Sequence, residues 1–311
     1  MITYKLLNYK INIFDNNVSC FYNNKKVGSI SYNIDNNKIS INTSINKDEN
    51  IYIKLFIKHL FITFNYDFLY VNDCLVNKEE FFFLNKYLIL LFDVDDTLLS
   101  FRKTEYNALS NALKKVGLTP SDDIINHYHE INIKCWEKVE KNIITREECL
   151  VKRFEEFLPL YNINYDPSKF EDLYRSYLDT YAYLIKDAKK VLNELKPLYD
   201  IYAITHGVKL TQVRRVKKAK LDKYFIKSFI SEEIGHNKPS TLFYKALYDY
   251  IKDYNPNNAL IIGDSLTSDI KLGINNDTDT CWFNLYYKEN NSDIKPNYTI
   301  NKLVELLIHK I

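Results

Sequence analysis

The chain has 311 residues, 46% of them hydrophobic, which is enough to bury a sizeable core. Its 42 basic and 40 acidic residues give a net charge of +2, a balance that argues against a dedicated nucleic-acid-binding protein. No apolar run approaches the roughly 20 residues that span a bilayer, and the first residues lack the pattern of a signal peptide. We therefore expect a folded cytoplasmic protein without nucleic-acid or membrane partners.

Residues 1–84 are predicted to form a small α+β domain. Short alternating stretches at residues 10–14 and 38–42 are typical of half-buried strands. The turn-rich segments between such strands predict antiparallel hairpins, and they are Asp15-Asn16-Asn17, Asn23-Asn24-Lys25 and Asp35-Asn36-Asn37. The denser apolar stretch from Ile51 to Phe64 favours a helix, with a buried strand as the alternative. For this domain we expect the role of a scaffold or of a dimerisation surface. The second role would make the protein a homo-oligomer.

From Tyr87 onwards the pattern changes to that of a parallel sheet. The apolar run at residues 88–92 ends at Asp93, as expected for a strand that is buried on both faces. Similar short strands are predicted further along the chain, with helical patterns between them, at residues 201–204, 229–230, 260–262 and 281–283. This alternation predicts a doubly wound α/β fold.

A mostly helical segment, residues 101–185, interrupts this α/β pattern after its first strand. We expect it to form a cap over the carboxyl edge of the sheet. The second predicted domain therefore covers residues 85–311, with a core made of residues 85–100 and 186–311.

Glycine and cysteine give contrasting information. The five cysteines are scattered, with no C-x-x-C spacing, which favours reduced thiols over a disulfide or zinc framework. The chain has only six glycines, and four of them lie between residues 207 and 273. A chain that avoids glycine should retain it where the backbone needs positive φ or approaches a ligand closely. The chemistry is therefore expected in that segment.

Polar residues follow the predicted strands. They are Asp93-Val94-Asp95-Asp96-Thr97, Thr205-His206-Gly207, Lys238, Gly263-Asp264-Ser265 and Asp269. In open α/β sheets, ligands bind beyond the carboxyl ends of the strands. Several carboxylates meeting there would repel one another without a cation, and oxygen ligands favour Mg²⁺. The lysine, the threonine hydroxyl and the glycine-loop amides would then hold phosphoryl oxygens.

Asp93 and Asp95 are spaced for a division of labour. Residues i and i+2 of an extended segment point the same way, so both carboxylates can face the cleft. One carboxylate can act as a nucleophile, while the other carries a proton to the leaving oxygen and later takes one from water.

Four ordered motifs resemble those of the haloacid-dehalogenase-like (HAD) hydrolases. Residues 92–98 resemble the first motif and residues 204–207 the second. Lys238-Pro239 resembles the third, and residues 263–269 resemble the fourth. The resemblance covers residues 87–285 and implies a Rossmann-like HAD core with a helical cap.

The resemblance also implies a role for each motif residue. Asp93 would form an aspartyl-phosphate, and Asp95 would be the general acid and base. Thr205 and Lys238 would bind the phosphoryl group. Because dehalogenases of the family lack the second aspartate, a phosphatase is favoured. Mg²⁺ would be held by the Asp93 carboxylate, the Asp95 backbone carbonyl and Asp264, with Asp269 in support.

Finer similarity points to the bacterial pyrimidine 5′-nucleotidases. It rests on residues 231–235, on Asp269-Ile270 with Gly273, and on residues 279–284 of the core. In the cap it rests on Trp136 and residues 144–148. This resemblance implies a nucleoside 5′-monophosphate as the substrate. A sugar-phosphate or phosphoglycolate phosphatase, a phosphomutase, and a non-catalytic binding protein with the same fold remain alternatives.

Two positions depart from the family pattern, and three have a structural interpretation. His206 stands where the family usually has asparagine, and Asp187 stands where relatives commonly carry glycine. Asp96 is expected to cap its turn, and Trp136 is expected to be buried between cap and core, with stacking on a nucleobase as the alternative. The basic cluster at residues 214–218 is expected to be a solvated helix face.

Overall fold

The chain forms two compact units. The computed structural model describes residues 2–6, 9–14, 17–35, 38–45, 49–64, 66–72, 74–141 and 143–308. The first unit comprises residues 1–87, 190–195 and 302–311, and the second comprises residues 88–189 and 196–301. The first unit thus includes two short segments from the predicted second domain, and the predicted boundary after residue 84 stays a prediction. Across these described ranges, no helix is both long and apolar enough to cross a membrane.

The first unit contains a sheet whose strands follow one another in chain order. They are β1 (Ile2–Leu6), β2 (Tyr9–Phe14), β3 (Asn17–Tyr22), β4 (Lys25–Asp35), β5 (Lys38–Thr43), β6 (Phe68–Val71) and β7 (Cys74–Asn77). Neighbouring strands are antiparallel, except that β5 and β6 are parallel. That parallel pair needs a long crossover, which α1 (Glu49–Phe64) provides.

The sequence predictions for this unit agree with the structure. The predicted strands correspond to β2 and β5, and the apolar stretch at residues 51–64 is helix α1. The turn at Asn23 and Asn24 has φ angles of 48° and 64°, a left-handed conformation that asparagine tolerates. Of the other two predicted turns, residues 15–16 and 36–37 lie outside the described residues.

Short helical segments complete the first unit. They are α2 (Lys78–Phe81), most of α7 (Ala188–Leu195), and α12 (Glu305–Ile308). Helix α12 packs against α1, and the Lys54 ammonium forms an ion pair with the Glu305 carboxylate. The last described residues of the chain are therefore part of the same unit as the first ones.

The second unit is built on a parallel sheet. Its strands are β8 (Ile89–Phe92), β9 (Asp200–Thr205), β10 (Ser228–Ile230), β11 (Ala259–Gly263), β12 (Asp279–Phe283) and β13 (Tyr298–Ile300). Their order is β10-β9-β8-β11-β12-β13, and every pair is parallel. The strand order reverses between β8 and β11, so a topological switch point lies at their carboxyl ends.

The core helices pack against this sheet. They are α8 (Lys209–Lys218), α9 (Ser231–Ile234), α10 (Thr241–Tyr250) and α11 (Lys271–Ile274). Phe243 and Leu247 of α10 are buried in one apolar cluster with Leu91, Ile204 and Ile261 of three neighbouring strands. Every residue of β8 is buried, which agrees with the continuous apolar run that predicted it.

A helical cap is inserted between β8 and β9. It consists of α3 (Phe101–Lys115), α4 (Asp122–Glu140), α5 (Arg146–Leu160) and α6 (Pro167–Leu178). The side chain that precedes each of these helices caps it by accepting a backbone amide, and these residues are Ser100, Ser121, Thr145 and Asp166. The cap has its own aromatic core, which includes Tyr128, Phe154, Phe157 and Phe170. The predicted fold class, a doubly wound core with an inserted helical cap and a small N-terminal α+β domain, is confirmed.

Candidate active site

The motif residues meet at the carboxyl edge of the parallel sheet. Asp93 directly follows β8, Thr205 is the last residue of β9, and Asp264 directly follows β11. Strands β8, β9 and β11 are neighbours in the sheet, so these side chains lie on both sides of the switch point. Lys238 reaches the same place from the loop after α9, and Asp269 from the π-helical turn at Leu266–Ile270.

Three carboxylates and one ammonium form the centre of the site. One carboxylate oxygen each from Asp93, Asp264 and Asp269 lie within 4.8 Å of one another. The Lys238 Nζ donates to Asp93 Oδ1 at 2.7 Å and to Asp269 Oδ1 at 2.6 Å. It also donates to the Ile204 carbonyl at 3.1 Å, and this bond joins the third motif to strand β9.

The charges of this centre are not balanced by its own residues. Burial raises the pKa of Asp93 to about 8, although the Lys238 ammonium acts to lower it. Burial and the charge of Asp93 also raise the pKa of Asp264. Burial lowers the pKa of Lys238, but the charges of Asp269 and Asp93 outweigh this effect and leave that pKa above its usual value. One ammonium therefore faces two buried carboxylates and the partly buried Asp264, an oxygen donor set that fits Mg²⁺.

Gly263 leaves the space that Asp269 occupies. A Cβ at Gly263 would lie 2.2 Å from Asp269 Oδ2, far inside van der Waals contact. That same Oδ2 accepts the Ser265 amide at 3.2 Å, and the other oxygen of Asp269 is bound by Lys238. The glycine of the fourth motif is therefore required by the close approach of a carboxylate, and Asp269 supports the site by holding Lys238 and the loop together.

The Asp95 side chain points to a different set of partners. Gln212 Nε2 donates to Asp95 Oδ2 at 2.7 Å, and Arg215 Nη1 lies 2.6 Å from Asp95 Oδ1. The same Gln212 Nε2 is 2.6 Å from Thr205 Oγ1 and 3.0 Å from the His206 carbonyl. The structure thus links the first and second motifs through helix α8.

The sequence did not predict this role of α8. Arg214, Lys217 and Lys218 are exposed as expected, but Arg215 is only 1% exposed, so the expectation of a solvated face is wrong for this residue. Gln212 and Arg215 are spaced i, i+3 and share the helix face that carries the buried Val216. That spacing was the available signal, and the surrounding run of basic residues obscured it.

The two departures from the family pattern, His206 and Asp187, differ in what their surroundings require of them. Burial, followed by the charge of Lys238, lowers the pKa of His206 well below its usual value, so its imidazole is neutral. The next residue, Gly207, has a φ of 98°, which explains the glycine at this turn. Asp187 has a φ of 65°, in the left-handed region, where glycine is the residue adopted most easily and aspartate is tolerated.

Asp96 has the turn geometry that was predicted for it. Its φ is 56°, and its Oδ1 accepts the Arg102 amide at 3.2 Å near the start of α3. Burial, followed by the charge of Asp95, raises the pKa of Asp96 to about 6. The carboxylate therefore stabilises the connection from the first motif to the cap.

A cavity of about 730 Å³ lies between the cap and the motif loops, all within the second unit. Its core side includes Asp95, Gly207 and Asp264, and its cap side includes Trp136 and Arg153. Trp136 is half-buried and lines the cavity, which corrects the expectation of a ring buried between cap and core. The volume of the cavity falls in the range of roughly 300–1,000 Å³ that is usual for small-molecule sites.

Comparisons with known proteins agree with the four motifs. A family model described as haloacid dehalogenase-like hydrolase matches residues 87–277. The HAD-hydrolase YfnB of Bacillus subtilis is 36% identical over 223 residues, which cover 72% of this chain and 95% of YfnB. The crystal structure of YfnB bound to magnesium has a TM-score of 0.69 to this chain and covers 71% of it and 97% of YfnB.

Two further relatives carry names that state a substrate. Pyrimidine 5′-nucleotidase PynA of Streptococcus pneumoniae is 33% identical over 222 residues, which cover 71% of this chain and 94% of PynA. A glyceraldehyde 3-phosphate phosphatase of Pyrococcus furiosus is 29% identical over 232 residues, covering 70% of this chain and 91% of that phosphatase.

Proposed function

Because the chain belongs to the haloacid dehalogenase-like hydrolases and is a phosphoric monoester hydrolase, we propose that it hydrolyses pyrimidine nucleoside 5′-monophosphates through an aspartyl-phosphate. The observation that carries the proposal is the buried Lys238 ammonium, which bridges Asp93 and Asp269 beside Asp264. These groups are at the switch point of the sheet, and Asp264 also lines a cavity large enough for a nucleotide.

Asp93 is the proposed nucleophile. In the first step a carboxylate oxygen of Asp93 forms a bond to phosphorus while the ester P–O bond breaks. Asp95 gives its proton to the leaving oxygen, which departs as the alcohol of the nucleoside. Thr205, the amides of the loop at His206 and Gly207, and Lys238 hold the phosphoryl oxygens during this transfer.

Asp95 then acts as the base. A water oxygen forms a bond to phosphorus, and the bond from phosphorus to the Asp93 oxygen breaks. Asp95 takes a proton from that water, so both carboxyl groups return to their starting states and inorganic phosphate leaves. The Asp93 carboxylate, the Asp95 carbonyl and Asp264 would hold Mg²⁺, with Asp269 in support. When bound, the ion would neutralise these carboxylates and polarise the phosphoryl group.

The nucleotide assignment has two supports. PynA, named as a pyrimidine 5′-nucleotidase, is 33% identical to this chain. Trp136 lines the cavity and offers a ring on which a nucleobase can stack. The proposal includes a cytoplasmic location. Five free cysteines are compatible with such a reducing compartment.

A sugar-phosphate phosphatase is the second candidate. The glyceraldehyde 3-phosphate phosphatase of Pyrococcus furiosus is 29% identical over a similar share of this chain. Both candidates use the same phosphoryl site, so the cap side of the cavity decides between them.

A screen of phosphate esters with Mg²⁺ separates these candidates. We expect uridine and thymidine 5′-monophosphates to have kcat/KM values at least about tenfold above those of glyceraldehyde 3-phosphate and phosphoglycolate, a difference of ~1.4 kcal/mol in transition-state stabilisation. Adenosine 5′-monophosphate is the matched control for the base. If the sugar phosphates are good substrates and the pyrimidine nucleotides poor ones, the nucleotidase assignment is wrong and the second candidate replaces it.

A further inference from the structure

Both oxygens of the Asp95 carboxylate contact helix α8, one through an ion pair and the other through a hydrogen bond. Arg215 Nη1 lies 2.6 Å from Oδ1, and Gln212 Nε2 donates to Oδ2 at 2.7 Å. The two partners are themselves joined, because Arg215 Nη1 donates to Gln212 Oε1 at 3.0 Å. The carboxylate, the amide and the guanidinium thus form a closed set of contacts that fixes the direction of the Asp95 side chain.

Burial of the Arg215 guanidinium at this position is unfavourable for the free energy of folding. It is 1% exposed, and its guanidinium lies 5.5 Å from the centre of the Phe101 ring. Its Nε and Nη2 atoms have no hydrogen-bond partner within the part of the chain that the structure describes. A buried guanidinium with unsatisfied donors destabilises a fold, so packing alone does not account for it.

We propose that Arg215 is a positioning residue for proton transfer by Asp95, acting on that carboxylate directly and through Gln212. The inference rests on the proposed function, in which Asp95 serves the leaving oxygen and then the attacking water. Proton transfer requires hydrogen-bond reach, and a displacement of about 1 Å can reduce a rate about 100-fold. Without Arg215 the Asp95 carboxylate would lose its ion pair and Gln212 Oε1 would lose its donor. Asp95 would then depend on Gln212 Nε2, which also contacts Thr205 and the His206 carbonyl.

The leaving group distinguishes positioning from a purely structural role. The 5′-oxygen of a nucleoside leaves as a strongly basic alkoxide unless it receives a proton. In contrast, 4-nitrophenolate is a stable anion and leaves from its phosphate ester without one. A misplaced Asp95 should therefore slow the first step for a nucleotide much more than for 4-nitrophenyl phosphate, whereas a generally damaged site should slow both equally.

The test is a single-turnover measurement on the full chain with Mg²⁺, comparing wild type, Arg215→Met and Arg215→Lys. The control is Lys218→Met, which removes an exposed charge from the same helix. For Arg215→Met we expect alcohol release from uridine 5′-monophosphate to fall about 100-fold, and release of 4-nitrophenolate to fall less than about tenfold. Arg215→Lys retains the charge and should lie between Arg215→Met and wild type, while Lys218→Met should match wild type.

Equal losses on both substrates, or no loss on either, would overturn the inference. If Arg215→Met does not fold, as judged by its thermal unfolding, Arg215→Lys carries the same comparison and the same contrary outcome. Failure of the proposed function is distinguishable, because wild type itself would then release no nucleoside from uridine 5′-monophosphate. If wild type hydrolyses alkyl phosphates other than nucleotides, its best alkyl ester takes the place of uridine 5′-monophosphate.

Discussion

At the scale of single residues, the site depends on atoms that approach one another unusually closely. Gly263 shows this, because any side chain there would occupy the position of the Asp269 carboxylate. Asp269 in turn anchors Lys238, which contacts the proposed nucleophile Asp93. A methyl group at Gly263 would therefore displace Asp269, and through Lys238 this displacement would reach the proposed nucleophile Asp93.

We expect Gly263→Ala to reduce both stability and activity. Overpacking of this kind usually costs about 1–3 kcal/mol, and here it displaces Asp269 from Lys238. The control is Gly273→Ala, whose Cβ would lie 2.2 Å from the Thr280 side chain and outside the carboxylate centre. Both variants should unfold at lower temperature, but only Gly263→Ala should lose kcat at a temperature where both are folded. Equal kcat values for the two folded variants would contradict this account.

The sequence predicted the motif residues but not the partners of Asp95. Asp93, Thr205, Lys238 and Asp264 were recognisable because each follows a strand or belongs to an ordered motif. Arg215 was assigned to solvent, because burial depends on which face of α8 packs against the motif loops. Single-sequence patterns do not determine that face when basic residues surround it.

At the scale of elements, one buried polar network joins the four cap helices. Arg153 of α5 donates to Asn132 of α4 at 2.8 Å and to Glu171 of α6 at 2.6 Å. Asn132 also donates to Glu105 of α3 at 2.8 Å. Arg153 and Glu171 are both 3% exposed, so removing Arg153 would leave the buried Glu171 carboxylate with only the longer contact to Arg175 Nε, at 3.8 Å.

We expect Arg153→Met to destabilise the protein by about 3–5 kcal/mol, the usual result of breaking a buried ion pair from one side. The double variant Arg153→Met/Glu171→Leu should recover part of that loss, since it removes both charges. Urea unfolding of wild type, the single variant and the double variant measures the difference. A double variant that is less stable than the single one would show that this ion pair does not control the stability of the cap.

Element prediction succeeded where patterns were long or apolar. The strand before Asp93 was recognisable from its apolar run, and at residues 51–64 a helix was favoured over a buried strand. Strand β13 was missed because its three residues, Tyr298 to Ile300, do not form a continuous apolar run. It becomes a strand by pairing with β12, a long-range contact that local sequence does not reveal.

At the scale of the whole molecule, the chain combines a capped hydrolase core with a sheet unit of its own. The second unit contains every residue of the proposed phosphoryl and metal sites. The first unit draws on both ends of the chain, since α12 packs against α1. The packing of α12 against α1 was not predictable from the sequence. The last described residues follow the hydrolase motifs, so they were assigned to the hydrolase domain.

The central claim is that the carboxylate of Asp93 attacks phosphorus, and Asp93→Asn tests it most directly. An amide is a poor nucleophile for this step, so the claim predicts that folded Asp93→Asn protein has no detectable Mg²⁺-dependent release of phosphate from uridine 5′-monophosphate or from 4-nitrophenyl phosphate. The matched control is Asp96→Asn, which alters a neighbouring carboxylate with a turn role and should retain turnover. Substantial Mg²⁺-dependent phosphatase activity in Asp93→Asn would contradict the account.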